Sequence, residues 1–260
     1  MSTIRLGASS SQKTIADVQY RIAATREQRA AAFRLVHYSY LRAGLTEPNW
    51  HEMRVTPYHL LPTTEVFVAI CDDEVISTVT LVLDGELGLP MDSVYKQEIM
   101  ERRARGLWMG ELSCLADRRN DPKRFFPIFV RLCRLAAQHA RYRGVHEFVA
   151  AVHPRHARFY KRYMAFEPIG DERAYPSARN HPAVALSLNF ARVDRERPRS
   201  WDTFFGQPIP HAQLKPQPIP QSQCDYFRNM LDSAFEPMPL GGMDDQADDS
   251  RTEMAGAAVA

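Results

Sequence analysis

The amino-acid sequence predicts an α+β fold, a mixed sheet with helices packed on it. Two β-rich runs, residues 65–71 and 75–83, are joined by Asp72, Asp73 and Glu74 and read as an antiparallel hairpin. Downstream, the apolar pattern alternates between strand and helix periods, and a last β-rich run follows at 184–190. An antiparallel start, a strand–helix–strand–helix middle and a terminal strand fit one mixed sheet.

In chain order, residues 18–23 form a short strand that runs into a helix with apolar positions Phe33, Leu35, Val36 and Tyr40. Pro48, Pro57 and Pro62 break the next stretch into loop, with a short helix around His51. After the hairpin, residues 85–105 read as irregular or helical. Residues 107–116 form the next strand, which carries Glu111 among apolar neighbours. The following helix takes Pro122 or Pro127 in its first turn, repeats Phe125, Ile128, Phe129, Leu132 and Leu135 at helical spacing, and ends near Gly144. A strand at 145–152 and a helix at 156–164 precede the terminal strand.

Composition narrows the function classes. With 45% apolar and 25% charged residues, the chain is ordinary globular material able to bury one core. No apolar run approaches the roughly 20 residues of a membrane helix, and no basic-then-apolar leader opens the sequence, so it reads as cytoplasmic. Cys71, Cys114, Cys133 and Cys224 lack CxxC spacing and the histidines lack metal spacing, so neither disulfides nor a metal site is expected. A net charge of +2 argues against a general nucleic-acid binder. Arginines nevertheless gather at 118–162. Arg124, Arg131, Arg134 and Arg141 share one helix face, and Arg155, Arg158 and Arg162 share the next, a rim suited to an acidic partner.

The organisation expected is a flexible N-terminus at 1–17, a domain at 18–192, a proline-rich arm at 193–240 and a disordered acidic tail at 241–260. The arm reads as extended, with a short docking helix at 223–234.

The segment from His153 through Pro154, Phe159 and Tyr160, followed by Met164-Ala165-Phe166, resembles the late helix of GNAT acyltransferases. Gly110-Glu111-Leu112-Ser113-Cys114-Leu115-Ala116 is similar to a strand of the autoinducer synthases and of the long-chain N-acyl amino acid synthases. Phe33-Arg34-Leu35, Tyr38 and Tyr40 match that group's first helix, and Tyr175-Pro176 with residues 182–186 matches its last strand. The resemblance spans about 18–192 and is best to the N-acyl amino acid synthases. It implies the GNAT-like acyl-CoA N-acyltransferase fold, three α/β layers with a mainly antiparallel sheet and helices on both faces. Cys114 stands where the family carries an arginine, and the run from Arg118 to Lys123 lacks the glycines of the usual CoA-binding loop.

What the resemblance implies chemically is transfer of a medium or long fatty acyl chain from acyl carrier protein, held as a phosphopantetheine thioester, to the α-amine of an amino acid. No cofactor is expected to be bound permanently. A loop without glycines grips a CoA diphosphate weakly, whereas Arg118, Arg119, Lys123 and Arg124 at a helix start suit the single phosphate of a carrier-borne arm. Glu111, desolvated on its strand, is the expected general base for direct transfer. Backbone N–H groups of Leu112, Ser113, Cys114 and Leu115, freed by a bulge, are expected to contact the thioester oxygen. Tyr160 matches the family position that protonates the leaving thiolate.

Arg34, Trp108 and Phe129 are candidate substrate contacts. Trp108 and Phe129, with Phe67, Val79, Leu81 and Phe148, either line an acyl slot or build ordinary core. Other readings are an autoinducer synthase using S-adenosylmethionine, an acyl- or acetyl-CoA-dependent N-acetyltransferase, and a noncatalytic scaffold that binds acyl carrier protein.

Overall fold

The computed structural model describes residues 18–118, 122–232 and 235, and for residues 122–124 the backbone alone. The expected flexible N-terminus at 1–17 and acidic tail at 241–260 therefore lie outside the described residues. So do Arg119 and the side chains of Lys123 and Arg124.

Strand β1 (Gln19–Ile22) leads into α1 (Arg26–Arg42). That helix starts where it does because the Thr25 hydroxyl accepts from the Gln28 N–H while the Gln28 side chain turns back to the Thr25 N–H, a reciprocal cap. The hairpin is β2 (Thr64–Cys71) and β3 (Glu74–Leu83), and its tight connection places Asp72 and Asp73 at positive φ. Helix α2 (Asp92–Ala104) precedes β4 (Met109–Asp117), α3 (Pro122–Tyr142), β5 (Glu147–Val152) and α4 (Pro154–Met164). Two strands close the sheet, β6 (Glu167–Tyr175) and β7 (His181–Asn189).

The seven strands lie in the order β1-β2-β3-β4-β5-β7-β6, and every neighbouring pair is antiparallel except β4 with β5. The mixed sheet is thus mainly antiparallel. One face packs α3 and α4 around Leu81, Leu112, Phe148 and Leu186; the other packs α1 and α2 in two clusters, around Phe33 with Val68 and around Tyr95 with Val149. Three layers result.

Three sequence expectations need correction. The helix around His51 is absent: Trp50 and His51 form a turn, and the nearby helical element is a 3-10 turn at Pro57–Leu60. Strand β6 was not anticipated, because Glu167, Pro168, Gly170, Asp171, Glu172 and Arg173 give it a composition poor in β-formers. The C-terminal helix α8 runs over Gln221–Arg228 and so starts two residues earlier and stops sooner than expected.

Beyond β7 the chain is not simply extended. Short helices α5 (Phe190–Glu196), α6 (Trp201–Phe204) and α7 (His211–Leu214) precede α8. Phe204 and Leu214 are buried in the α3-side core, α7 touches β1, and Ile219, Cys224 and Phe227 are buried against Phe33 on the α1 face. The arm therefore passes round the β1 edge from one face to the other.

It also takes up two arginines of the α3 stripe, while β1 takes a third. Arg134 donates to the Thr203 carbonyl and to Gln207, Arg141 pairs with Asp194, and Arg131 stands over the Tyr20 ring. These are internal ties rather than an open rim, whereas Arg155, Arg158 and Arg162 on α4 are exposed. Among the described residues no helix is long and apolar enough to cross a membrane.

Candidate active site

Strands β4 and β5 pair only at Met109 with Glu147, Gly110 with Phe148 and Glu111 with Val149. Past Glu111 they diverge, although β4 continues to Asp117 and β5 to Val152. The divergence coincides with a bulge on the other side of β4: Thr80 faces Ser113 and Thr78 faces Ala116, so Cys114 and Leu115 together oppose Val79. Cys114 takes a left-handed φ of 51° there. Simple alternation would put Glu111 with Leu115 and away from Cys114. The extra residue reverses this, placing Cys114 beside Val36 and Ala116 on the α1 face while Leu115 packs towards the α3-side core.

Glu111 sits at the point of divergence and is only 2% exposed. Its Oε2 accepts from the Met91 N–H at 2.8 Å. The Met91 turn is rigidly held: Arg103 bonds both oxygens of Asp84 and both of Asp92, and Asp92 Oδ2 also accepts from the Leu89 N–H. Burial pushes the Glu111 carboxyl up to about 8; the Met91 bond opposes that rise, and the negative charges of Asp92 and Asp84 add to it.

Glu111 lines a cavity of about 810 Å³ that opens between the splayed strands. Ser113, Cys114 and Leu115 from the bulge share its wall, with Ala151 and Val152 of β5 opposite. One end is aromatic, built by Phe125, Phe126, Phe129 and Phe159, with ring centroids of Phe129 and Phe159 5.6 Å apart. Tyr160 completes this end, packed edge-on to Phe129 and Phe166, and burial holds its hydroxyl proton more tightly than in water.

The other end is polar. Tyr40, Tyr175 and Arg54 reach it, and burial raises both tyrosine hydroxyls. The Tyr40 hydroxyl interacts with the Cys114 backbone N–H. Burial raises the Cys114 thiol against the opposing pull of Arg54, so the sulfur keeps its proton.

Glu111, Ser113, Cys114, Leu115, Phe129 and Tyr160 are thus brought together. Other candidates are not. Leu112 points into the α3-side core, as do Phe67, Val79, Leu81 and Phe148. Trp108 lies outside the cavity wall, its indole N–H bound to the Asp84 carbonyl at 3.0 Å and its backbone N–H to His146. Arg34 and Arg118 line a separate open depression of about 490 Å³, where Arg118 pairs with Glu74. His153, set aside as a ligand, caps α4 by accepting from the Arg155 N–H at 3.2 Å.

Arg54, Tyr40, Tyr175 and the Phe125–Phe126 pair were missed as site residues. Phe125 stood in the α3 apolar pattern, but Arg54 occupies a proline-broken loop where a cation ordinarily meets solvent. Among the described residues no group of three or more His, Cys, Asp or Glu is arranged to hold a metal ion.

The family model of the N-acyl amino acid synthase FeeM matches residues 31–189. Among solved structures, FeeM from uncultured soil microbes superposes with a TM-score of 0.57 at 23% identity, covering 67% of this chain and 90% of that one. The acyl-homoserine lactone synthase LasI gives 0.53 at 15% identity over 74% and 96%. The CoA-dependent acyl-homoserine lactone synthase BjaI, solved with S-adenosylmethionine and isopentyl-CoA, gives 0.51 at 14% over 81% and 100%. No curated protein matches the sequence. At these identities the superpositions establish the GNAT N-acyltransferase fold, while the family match spans more than half of the chain. The chain is therefore an acyltransferase and belongs to the FeeM family of N-acyl amino acid synthases.

Proposed function

We propose that this protein transfers a medium or long fatty acyl chain from the phosphopantetheine thioester of acyl carrier protein to the α-amine of an amino acid. The observation that carries this reading is the cavity at the β4–β5 divergence, which joins a buried carboxyl, Glu111, to an aromatic wall of the apolar kind an alkyl chain packs against. The pantetheine arm enters between the strands as their missing ladder partner. Its single phosphate meets the glycine-free start of α3 and the exposed α4 arginines rather than a CoA-diphosphate loop.

In the reaction the amine nitrogen attacks the thioester carbonyl carbon, and Glu111, directly or through a water, takes the surplus nitrogen proton. A base with a pKa near 8 suits this task at neutral pH. Backbone N–H groups of the bulge stabilise the oxyanion. As the carbon–sulfur bond breaks, Tyr160 gives its proton to the departing thiolate and is reprotonated from solvent. Cys114, protonated and without a basic partner of its own, serves as wall rather than nucleophile.

The test is to incubate the protein with acyl carrier protein charged with C12 to C16 chains, an amino acid pool and S-adenosylmethionine, with acyl-CoA in a parallel arm, and identify products by mass spectrometry. An N-acyl amino acid formed from the carrier supports the proposal. Formation of a homoserine lactone, use of CoA donors alone, or carrier binding without turnover each contradicts it.

A further inference from the structure

Arg54 is unusual among the cations of this chain because it is 3% exposed yet borders the reaction cavity. Its Nη1 donates to Thr46 Oγ1 at 3.1 Å and to Asp232 Oδ2 at 2.8 Å, and its Nη2 donates to the Ser177 carbonyl at 2.8 Å. Its Nε is buried without a hydrogen-bond partner. A guanidinium offers its donors as a planar fork suited to a carboxylate, so an unused buried Nε marks a site built for more than it holds.

The carboxylate now present comes from the far end of the arm. After α8, Leu231 bridges to Val55 in parallel, the Asp232 N–H donates to the Val55 carbonyl at 2.7 Å, and Phe235 returns to the cavity wall. Phe235 lies 5.0 Å from the Arg54 guanidinium and edge-on to Tyr58. The guanidinium also stands 5.0 Å over Tyr40, whose hydroxyl reaches the Cys114 N–H, three residues along β4 from Glu111. A carboxylate-binding cation and the proposed base thus line the same cavity.

We propose that Arg54 is the receptor for the α-carboxylate of the acceptor amino acid, and that Asp232 fills this position when no acceptor is bound. The Asp232 carboxylate is then a tethered competitor that the acceptor must displace. The inference rests on the proposed acyl transfer, with the amine presented to Glu111 by the grip on its carboxylate. It also explains how a chain with Cys114 in place of an arginine retains a cation for its acceptor.

The experiment uses the full chain with carrier-borne donor and compares the best acceptor amino acid with its carboxamide and its decarboxylated amine. The acid should exceed the amide in kcat/KM by about 10- to 100-fold, the range of a lost charge-assisted bond. Asp232→Asn should lower the KM for the amino acid several-fold, and Arg54→Gln should raise it and remove the preference for the acid. Equal use of acid and amide by the wild type, or an unchanged KM in a folded Asp232→Asn variant, overturns the subsite.

Because Arg54 also ties Thr46 and Ser177, the wild-type acid–amide comparison and Asp232→Asn decide the matter if Arg54→Gln does not fold. If no amine is acylated, the proposed reaction itself fails. The subsite is then judged by hydrogen exchange at the Asp232 amide, which a saturating amino acid pool should accelerate several-fold and the matching amides should not; equal exchange overturns it.

Discussion

At Glu111 the same burial that tunes a base also loads the fold with a cost. The folded chain holds this proton to about pH 8, whereas an unfolded glutamate releases it near 4.5. Between those values the native state binds more protons, so its stability falls as pH rises. Glu111→Gln should accordingly gain melting temperature over wild type at pH 8 and gain little at pH 5, as thermal unfolding at both values would reveal. Turnover should move the other way. The wild-type kcat/KM should climb with pH towards a midpoint near 8, and the glutamine variant should lose about 10²- to 10⁴-fold in rate while carrier binding changes far less. A variant with wild-type turnover would remove Glu111 as base. Cys114 bears a different constraint, a left-handed backbone on a side chain. Cys114→Gly should match or exceed wild-type stability, and Cys114→Val should cost about 1–2 kcal/mol because a β-branched residue resists that φ, a difference readable in urea midpoints. Glu111, Phe129 and Tyr160 were legible from motif and spacing. Arg54 was not, because its burial depends on Asp232, 178 positions away.

Strand β4 shows what sequence patterns disclose about an element and what they withhold. Its existence and its glutamate follow from an apolar run, and a bulge was an expectation without an address. The address depends on register: only the pairing of Thr80 with Ser113 and Thr78 with Ala116 shows that Cys114 and Leu115 share one place opposite Val79. Strand β6 escaped for the opposite reason, since its charged residues and Pro168 hide a real strand, which β7 holds through backbone bonds. The N-terminal half of β4 must lie close against β3 for the C-terminal half to diverge from β5 at the right place. Gly110 permits this, as a Cβ there would stand 2.7 Å from Leu81 Cδ1 and 3.2 Å from Leu83 Cδ2. Gly110→Ala should therefore destabilise by about 1–3 kcal/mol and lower turnover disproportionately by shifting Glu111. Denaturant unfolding and steady-state kinetics on the same preparation test both halves; an unaltered variant would mean that the leucines simply give way.

For the whole molecule, the strand and helix pattern announced a mixed α+β sheet and the family resemblance its three layers, whereas the proline-rich arm, read as extended with one docking helix, is threaded into both sides of the sheet. Local pattern could not show this, because its anchors, such as His139 Nδ1 against the Leu214 carbonyl and the Gln217 N–H on Glu65, join positions 75 and 152 residues apart. A chain ending at residue 196 should lose those anchors and form soluble aggregates, which light scattering at rising concentration would detect; a monodisperse truncated chain would contradict the packing. The reason lies at the margins of the sheet. It has two terminal strands, β1 and β6, and a bare strand margin recruits another copy of itself. Strand β6 repels that approach with Glu167, Asp171, Glu172 and Arg173, together with the missing donor of Pro168. Strand β1 has only four residues and carries no comparable density of charge. The arm passes this margin at α7, so the same truncation that removes its anchors should leave β1 open to self-association, and one segment then serves the reaction cavity at its far end and the sheet margin at its middle.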